Sequence, residues 1–120
     1  MLAETQIHSA NDLISPGEKT VVVFTRGLHL NFDENGNGTT GNWYVFEHQL
    51  EGVKKVIIYR RYDNPRRNEI FLGNFESWFP HEDPQRFVFT VSGLELKSDT
   101  PSSWVQFGGV GGQPVFFIGN

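Results

Sequence analysis

The regular interruption of β-type segments by turn residues is the feature that most constrains the fold of this chain. Thirteen glycines and six prolines divide its 120 residues into short stretches rich in Val, Ile, Phe, Tyr, Trp and Thr. These residue types favour strands, and strands recurring about every ten residues between turn signals are typical of sandwiches and barrels. The sequence therefore predicts an all-β fold, a single antiparallel sandwich or small barrel of about seven strands.

Alternation of apolar and polar residues locates the individual strands. Residues 20–32 predict one long strand that is bent or bulged at Gly27. The other predicted strands are 43–48, 53–62, 69–75, 86–91 continued at 94–97, 104–107 and 114–118. Residues 63–68 predict a hairpin loop, because they combine a proline, an aspartate and two asparagines. The predicted core face consists of Leu28, Leu30, Phe32, Val56, Ile58, Phe87, Phe89 and Val91.

The length of the chain fits one domain of the usual size. Residues 1–19 predict an N-terminal arm in which a short helix starts near Ser9 or Asn11, and residues 20–120 predict the β domain. The chain has no cysteine, which excludes disulfides, thiolate catalysis and cysteine-based zinc sites. Its apolar runs are far shorter than the roughly 20 residues of a membrane helix, so we expect no membrane partner. The polar start predicts no signal peptide, and the compartment stays open, with the cytoplasm favoured.

The most distinctive local feature is the basic hairpin, which we define as residues 53–67. It contains six of the ten basic residues and one acidic residue, a net charge of +5, whereas the rest of the chain carries −9. Guanidinium groups interleaved with aromatic rings suit phosphate backbones and exposed bases. The hairpin thus predicts contact with nucleic acid or another polyanion; the candidate residues are Tyr59, Arg60, Arg61, Tyr62, Arg66 and Arg67, with Trp43 and Trp104. A solvated edge hairpin kept soluble by its charge explains the same residues.

The arrangement of these strands also resembles a known pattern. Residues 56–62, the following loop and residues 69–75, preceded by the aromatic run 43–46, resemble the β-hairpin pattern of small barrel domains that read nucleic acids. Domains attached to restriction systems are among them. The resemblance implies nucleic-acid binding by a small barrel.

One calcium-like motif is incomplete. Residues 33–38 match the first six positions of an EF-hand loop, but its twelfth position is Tyr44 instead of the bidentate glutamate. Glu47 would have to close a nonstandard site, whereas a polar turn with asparagine and glycine in left-handed conformations explains the same residues. We therefore expect no metal to be required for folding.

A second incomplete pattern concerns magnesium-dependent hydrolysis. Glu95 and Lys97, with Glu76 and Asp83 upstream, resemble the metal-binding core of PD-(D/E)xK nucleases, in which carboxylates hold magnesium and the lysine assists the attacking water. That family needs helices packed on its sheet, which this sequence does not predict, and a salt bridge accounts for the pair. The four histidines, His8, His29, His48 and His81, lack the spacing of a zinc site.

We therefore expect a non-catalytic binding module without a cofactor or catalytic residue. Three classes of ligand stay open at this point. The first is a nucleic acid or phosphorylated ligand on the basic hairpin, and the second is a protein partner on the acidic surface, as for an inhibitor, immunity or docking domain. The third is a carbohydrate or cell-surface ligand on an exposed tryptophan (Trp43, Trp78 or Trp104), assisted by calcium in the loop at Asp33.

Overall fold

The computed structural model describes residues 13–27, 30–63, 66–83, 85–100 and 114–119. The strands in these residues are β1 (Thr20–Thr25), β2 (Leu30–Phe32), β3 (Gly38–Tyr44), β4 (Lys55–Asp63), β5 (Arg66–Pro80), β6 (Arg86–Thr100) and β7 (Val115–Ile118). A one-turn 3₁₀ helix, Glu47–Leu50, lies between β3 and β4. The all-β prediction is confirmed. Among the described residues, no helix is long and apolar enough to span a membrane.

All seven strands belong to one sheet, in the order β2-β3-β6-β5-β4-β1-β7. Five of the neighbouring pairs are antiparallel, but β1 and β4 are parallel, with Val21 opposite Val56. The prediction of a purely antiparallel sheet is therefore wrong at this pair. Parallel neighbours need a long crossover connection. Here β2, β3 and the 3₁₀ helix supply that crossover, a connection that local sequence patterns do not reveal.

Several predicted boundaries also differ from the structure. The predicted strand 20–32 is divided into β1 and β2, which lie near opposite ends of the sheet, and Gly27 between them has a φ of +102°. The predicted loop 63–68 is shorter, because Asp63 still pairs with Arg66. β6 runs unbroken through the Gly93 region that separated two predicted strands. The predicted strand 104–107 lies outside the described residues.

One face of the sheet curls around the main core. The buried members of this core are Val21, Val23, Trp43, Val45, Leu50, Val53, Val56, Ile58, Phe71, Phe75, Phe87, Phe89, Val91, Leu94 and Val115. Residues from strands at both ends of the sheet, including Trp43 of β3 and Val115 of β7, belong to this core, so the sheet is strongly curved. Within the described residues the sheet is not closed. The predicted core is confirmed at Val56, Ile58, Phe87, Phe89 and Val91. Leu30 and Phe32 are only partly buried against it, and Leu28 lies outside the described residues.

The opposite face carries a second, smaller cluster. Its buried members are Val22, Phe24, Ile57, Tyr59 and Ile70, and Leu13 and Ile14 of the N-terminal arm pack against them. The parallel strands β1 and β4 are therefore buried on both faces, which explains why each reads as a continuous apolar run without alternation. The helix predicted to start near Ser9 or Asn11 begins outside the described residues.

Candidate functional site

The backbone of the basic hairpin is a regular antiparallel ladder. Arg60 lies opposite Glu69, Arg61 opposite Asn68, and Tyr62 opposite Arg67. Since side chains alternate along a strand, Arg60 and Tyr62 project on the side of the main core, whereas Tyr59 and Arg61 project on the side of the second cluster. The residues predicted as one binding site are thus distributed over both faces of the sheet.

Arg60 is held by interactions within the protein. Its Nε and Nη2 atoms donate to Oε1 of Glu69 at 3.0 and 2.7 Å. Its guanidinium carbon lies 5.2 to 6.0 Å from the ring centroids of Phe32, Tyr62 and Phe71. Charge-assisted hydrogen bonds and cation–π contacts of this kind stabilise the guanidinium in place. Arg60 therefore connects β4, β5 and β2.

Two aromatic rings that were predicted to contact a ligand lie in the interior. Tyr59 has no exposed surface and packs against Phe24, with ring centroids 5.4 Å apart. Burial raises the pKa of Tyr59 to about 12, although nearby Arg61 acts in the opposite direction. Trp43 is 8% exposed, and its Nε1 donates to Oγ1 of Thr40 at 3.0 Å. Neither ring faces solvent for stacking.

The remaining predicted contacts lie mostly at or near the tip of the hairpin. Arg61 and Tyr62 are half-buried. Arg66 and Arg67 begin β5, opposite Asp63 and Tyr62. Trp104, which the sequence places on a separate segment, lies outside the described residues. The structure therefore brings together only the part of the predicted site that lies on β4 and β5.

The loop that resembles a calcium site forms a tight turn. Oδ1 of Asp33 accepts backbone hydrogen bonds from Asn35 and Asn37 at 2.9 and 3.0 Å. Oδ1 of Asn37 accepts one from the backbone of Gly93 at 3.2 Å. These interactions use side-chain oxygens that a cation would otherwise bind, and they attach the turn to β6. The polar-turn interpretation explains this geometry.

The acidic residues of the nuclease-like pattern are dispersed. Glu95 contacts Lys97 at 3.4 Å, Glu76 accepts a hydrogen bond from Ser92, and Oδ1 of Asp83 accepts one from the backbone of Gln85 at 2.9 Å. Within the described part of the chain, no group of three His, Asp or Glu side chains is arranged to hold a metal ion. His48 and His81 are exposed, and the other two histidines lie outside that part.

A cleft of about 370 Å³ lies between the end of β3, with the segment that follows it, and strand β7. We call it the seam cleft, and its lining residues are Tyr44, Val45, Phe46, Gln49, Val115, Phe116 and Phe117. Tyr44 and Phe46 are 55% and 62% exposed, whereas Val45 and Val115 are buried. Exposed aromatic rings thus stand beside buried aliphatic side chains in one concavity.

The exposed rings of the seam cleft make contacts with neighbouring residues. The backbone N–H of Phe46 donates to Oε1 of Gln49 at 3.1 Å, and the backbone N–H of Gln49 donates to the carbonyl of Phe46 at 2.9 Å. The Phe46 ring also stacks on His48, with centroids 5.9 Å apart. The hydroxyl of Tyr44 donates to Gln85. Each exposed ring thus has a contact within the chain, Phe46 with His48 and Tyr44 with Gln85.

Comparisons with protein-family models, curated proteins and solved structures gave no match. The geometry of the chain itself therefore separates the candidate sites. The basic hairpin offers charge, part of which Glu69 neutralises, whereas the seam cleft is a concavity lined by uncharged residues, with polar and apolar surface in similar amounts.

Sequence reasoning missed the seam cleft. The alternation in 43–48 places Tyr44 and Phe46 on the face opposite Trp43 and Val45, and this was the available signal. What the pattern does not show is that β7 lies across from these rings. The two walls meet only because the sheet curls.

Proposed function

We propose that this chain is a non-catalytic binding module that binds a partner protein at the seam cleft. The observation that carries the proposal is the exposure of Tyr44 and Phe46, each more than half exposed, beside the buried Val45 and Val115. Large aromatic side chains at a concave site are typical of the anchoring positions of protein interfaces. In this proposal the curved sheet is an incompletely closed small barrel, and the cleft is the place where closure fails.

The chemistry of the lining favours an apolar side chain as the group that enters. Among the described residues, no charged side chain lines the cleft, and its amide side chain, Gln49, already bonds to the backbone of Phe46. Two cations lie next to this lining: Lys19 Nζ is 5.8 Å from the ring centroid of Phe117, and the guanidinium carbon of Arg86 is 5.9 Å from that of Tyr44. An aromatic or branched aliphatic side chain would meet rings on both walls. The volume of the cleft lies within the range usual for ligand sites.

The proposal is tested by NMR titration of ¹⁵N-labelled protein with N-acetyl-tryptophanamide and N-acetyl-phenylalaninamide, which present single aromatic side chains. We expect shift changes at residues 44–49 and 115–117, and their loss in Phe46→Ala. Phe79→Ala is the matched control, because Phe79 is 47% exposed and does not line the cleft. Unchanged spectra at the cleft, or equal binding by Phe46→Ala, would overturn the proposal. A response to glucose at these same residues would favour the carbohydrate hypothesis instead.

A second candidate function, contact with a polyanion, is favoured by the charge of the basic hairpin. Its candidate site is narrower than the sequence predicted, since Tyr59 and Trp43 lie in the interior and Arg60 is bonded to Glu69. The predicted residues that remain are Arg61 and Tyr62, which project on opposite faces of the sheet, and Arg66 and Arg67, which begin β5. Backbone register places the last three of them together at the tip.

Replacing Arg66 and Arg67 by alanine tests this second candidate. We expect the double variant to bind a labelled single strand or duplex more weakly, with a salt slope lower by roughly one for each phosphate contact removed. Its stability should change by no more than about 0.5 kcal/mol. Lys54→Ala with Lys97→Ala removes two positive charges away from the tip of the hairpin and serves as the control. If the wild type binds neither nucleic acid at low salt, this candidate function is wrong.

A further inference from the structure

We propose that Asn35 is a site of self-modification, at which the side-chain amide is lost and the backbone is rerouted through isoaspartate. The reaction is fastest where an asparagine precedes a glycine. The polar turn between β2 and β3 contains two such pairs, Asn35-Gly36 and Asn37-Gly38. The structure distinguishes between them, and the inference does not depend on the proposed function.

The chemistry uses only groups of the chain and water. The backbone nitrogen of Gly36 loses its proton to hydroxide and attacks Cγ of Asn35, and the new N–Cγ bond closes a five-membered succinimide. The Cγ–Nδ2 bond breaks, and the amino group takes up a proton and leaves as ammonia. Water then cleaves either the N–Cγ bond, which gives aspartate, or the bond from the nitrogen to the backbone carbonyl carbon, which gives isoaspartate. Glycine favours the attack, because no Cβ crowds the nitrogen.

The side chain of Asn35 is available for this reaction. Its backbone N–H donates to Oδ1 of Asp33 at 2.9 Å, but its side chain makes no hydrogen bond with the residues that the structure describes. The N–H of Gly36 donates to the carbonyl of Asp33 at 3.0 Å, and this bond has to open before the nitrogen attacks. Exposed turns open locally at low free energy. Attack at Asn35 therefore requires only local opening of the turn.

Asn37 is also followed by glycine, but the fold holds it in place. Its Oδ1 accepts a hydrogen bond from the backbone of Gly93 at 3.2 Å, and its backbone N–H donates to Oδ1 of Asp33 at 3.0 Å. The attacking nitrogen would be that of Gly38, which belongs to β3 and is paired with β2 on one side and with β6 on the other. Attack at Asn37 thus requires that β3 separates from its neighbours. The structure therefore selects Asn35.

Isoaspartate at position 35 changes the contact between the turn and β6. It inserts one additional carbon into the backbone directly before Gly36, whose carbonyl accepts the N–H of Leu94 at 3.1 Å. The two backbones approach closely here, since a Cβ on Gly36 would lie 2.4 Å from the nitrogen of Leu94. A longer backbone displaces Gly36 from this position. The modification therefore loosens the turn from β6.

Peptide mapping of aged protein tests the selection of Asn35. Trypsin cleavage after Arg26 and Lys54 gives one peptide with both asparagine–glycine pairs, and its fragmentation in the mass spectrometer assigns the conversion to one of them. In native protein kept in mildly alkaline buffer, we expect conversion at Asn35 to be at least tenfold faster than at Asn37. In urea, where the fold is lost, the two rates should agree within twofold. Asn35→Gln is the matched variant: it keeps an amide but would have to close a less favourable six-membered ring, so conversion at position 35 should fall at least tenfold.

Amide hydrogen exchange tests the loosening of the turn. Ion exchange isolates the converted protein, and peptide mapping identifies the fractions in which isoaspartate predominates. We expect the N–H of Leu94 to exchange at least tenfold faster in these fractions than in the unmodified protein. Asn35→Asp is the control, because it adds the same negative charge without lengthening the backbone, and its Leu94 exchange should stay within twofold of the wild type.

The results that contradict the inference are distinct. Equal native rates at Asn35 and Asn37 would overturn the selection of Asn35. Conversion at neither residue, under conditions that convert both in urea, would show that the folded turn stays closed and would overturn the modification site. Selective conversion at Asn35 without faster exchange of Leu94 would support the site and overturn the loosening.

Discussion

At the residue scale, Tyr59 is a titratable group in an apolar environment. Burial raises its pKa from 10.0 to about 12. Between these pH values the unfolded chain loses the phenolic proton while the folded chain retains it, so the unfolded state binds fewer protons. The stability associated with Tyr59 is therefore complete below pH 10 and decreases as the pH rises toward 12. The total decrease corresponds to about 3 kcal/mol.

We expect the free energy of unfolding of the wild type to fall more steeply between pH 10 and 12 than that of Tyr59→Phe. Urea denaturation at pH 9, 10, 11 and 12 measures this difference. Tyr44→Phe is the matched control, because it removes an exposed tyrosine and leaves the buried Tyr59 in place. Parallel curves for the wild type and Tyr59→Phe would assign the dependence to another group.

Gly36 is a second residue that matters for local stability, because it has no side chain. It has a φ of +79°, and a Cβ at this position would lie 2.4 Å from the backbone nitrogen of Leu94. Backbone cannot move aside as a flexible side chain can, so glycine is required where the turn meets β6. Gly17 has a similar φ of +83°, but a Cβ there would meet no atom of the described residues within 4 Å.

We therefore expect Gly36→Ala to destabilise the protein by about 1 to 3 kcal/mol more than Gly17→Ala. Both variants incur the cost of a left-handed alanine, about 1 kcal/mol, so their difference isolates the close approach to Leu94. Chemical denaturation of the three proteins measures it. Equal stabilities of the two variants would show that the turn at Gly36 adjusts without cost.

At the element scale, β5 and β6 form the longest ladder of the sheet. Their register shifts at three places, between Ile70 and Phe71, between Leu72 and Asn74, and between Phe75 and Ser77. Such bulges bend a strand and increase its twist. The hairpin of β5 and β6 pairs with β4 on one side and with β3 on the other. Its bulges help to curve the sheet around the main core.

Phe89 tests the contribution of this ladder to the core. It is fully buried on β6, and its ring centroid lies 5.4 Å from that of Phe75. We expect Phe89→Ala to lower the free energy of unfolding by about 3 to 5 kcal/mol, because the cavity cannot be filled. The half-exposed Phe79 on β5 is the control, and its alanine variant should lose about 1 kcal/mol or less. Similar losses in both variants would contradict the observed facing of β6.

At the scale of the whole molecule, the basic hairpin is less positive in the fold than in the sequence. Glu69 pairs with Arg60, and the register of β6 sets Asp99 beside Glu69. β5 and β6 thus add one acidic residue each, Glu69 and Asp99, beside a region that reads as +5 along the chain.

Folding of the whole molecule is also expected to be independent of divalent cations. The oxygens of Asp33 and Asn37 serve the turn, and no acidic side chain in the described part completes a cluster with Asp33. Thermal unfolding in excess chelator should therefore match unfolding with added calcium to within about 1 °C, since a ligand that binds only the folded state raises the midpoint. A rise of several degrees with calcium would make the loop a metal site and would support the carbohydrate hypothesis.

The fold class and most of the main core could be predicted from the sequence. Strand propensity and alternation are local properties, so they identified Val56, Ile58, Phe87, Phe89 and Val91 without knowledge of strand order. The EF-hand-like segment was also readable as a polar turn, because asparagine and glycine encode turns through their own backbone preferences.

Tertiary structure alone decided the rest. The continuous apolar run of β4 does not indicate that both faces of this strand are buried. Tyr59 lies in the second cluster, between residues of β1 and β5, and therefore does not belong to a solvent-exposed binding site. The Glu69 partner of Arg60 and the parallel neighbour of β4 depend on pairing between distant segments. The seam cleft depends on the curvature of the entire sheet, which brings Phe46 near Phe117. Periodicity records the side of a strand on which a residue projects, but only the assembled sheet determines what lies there.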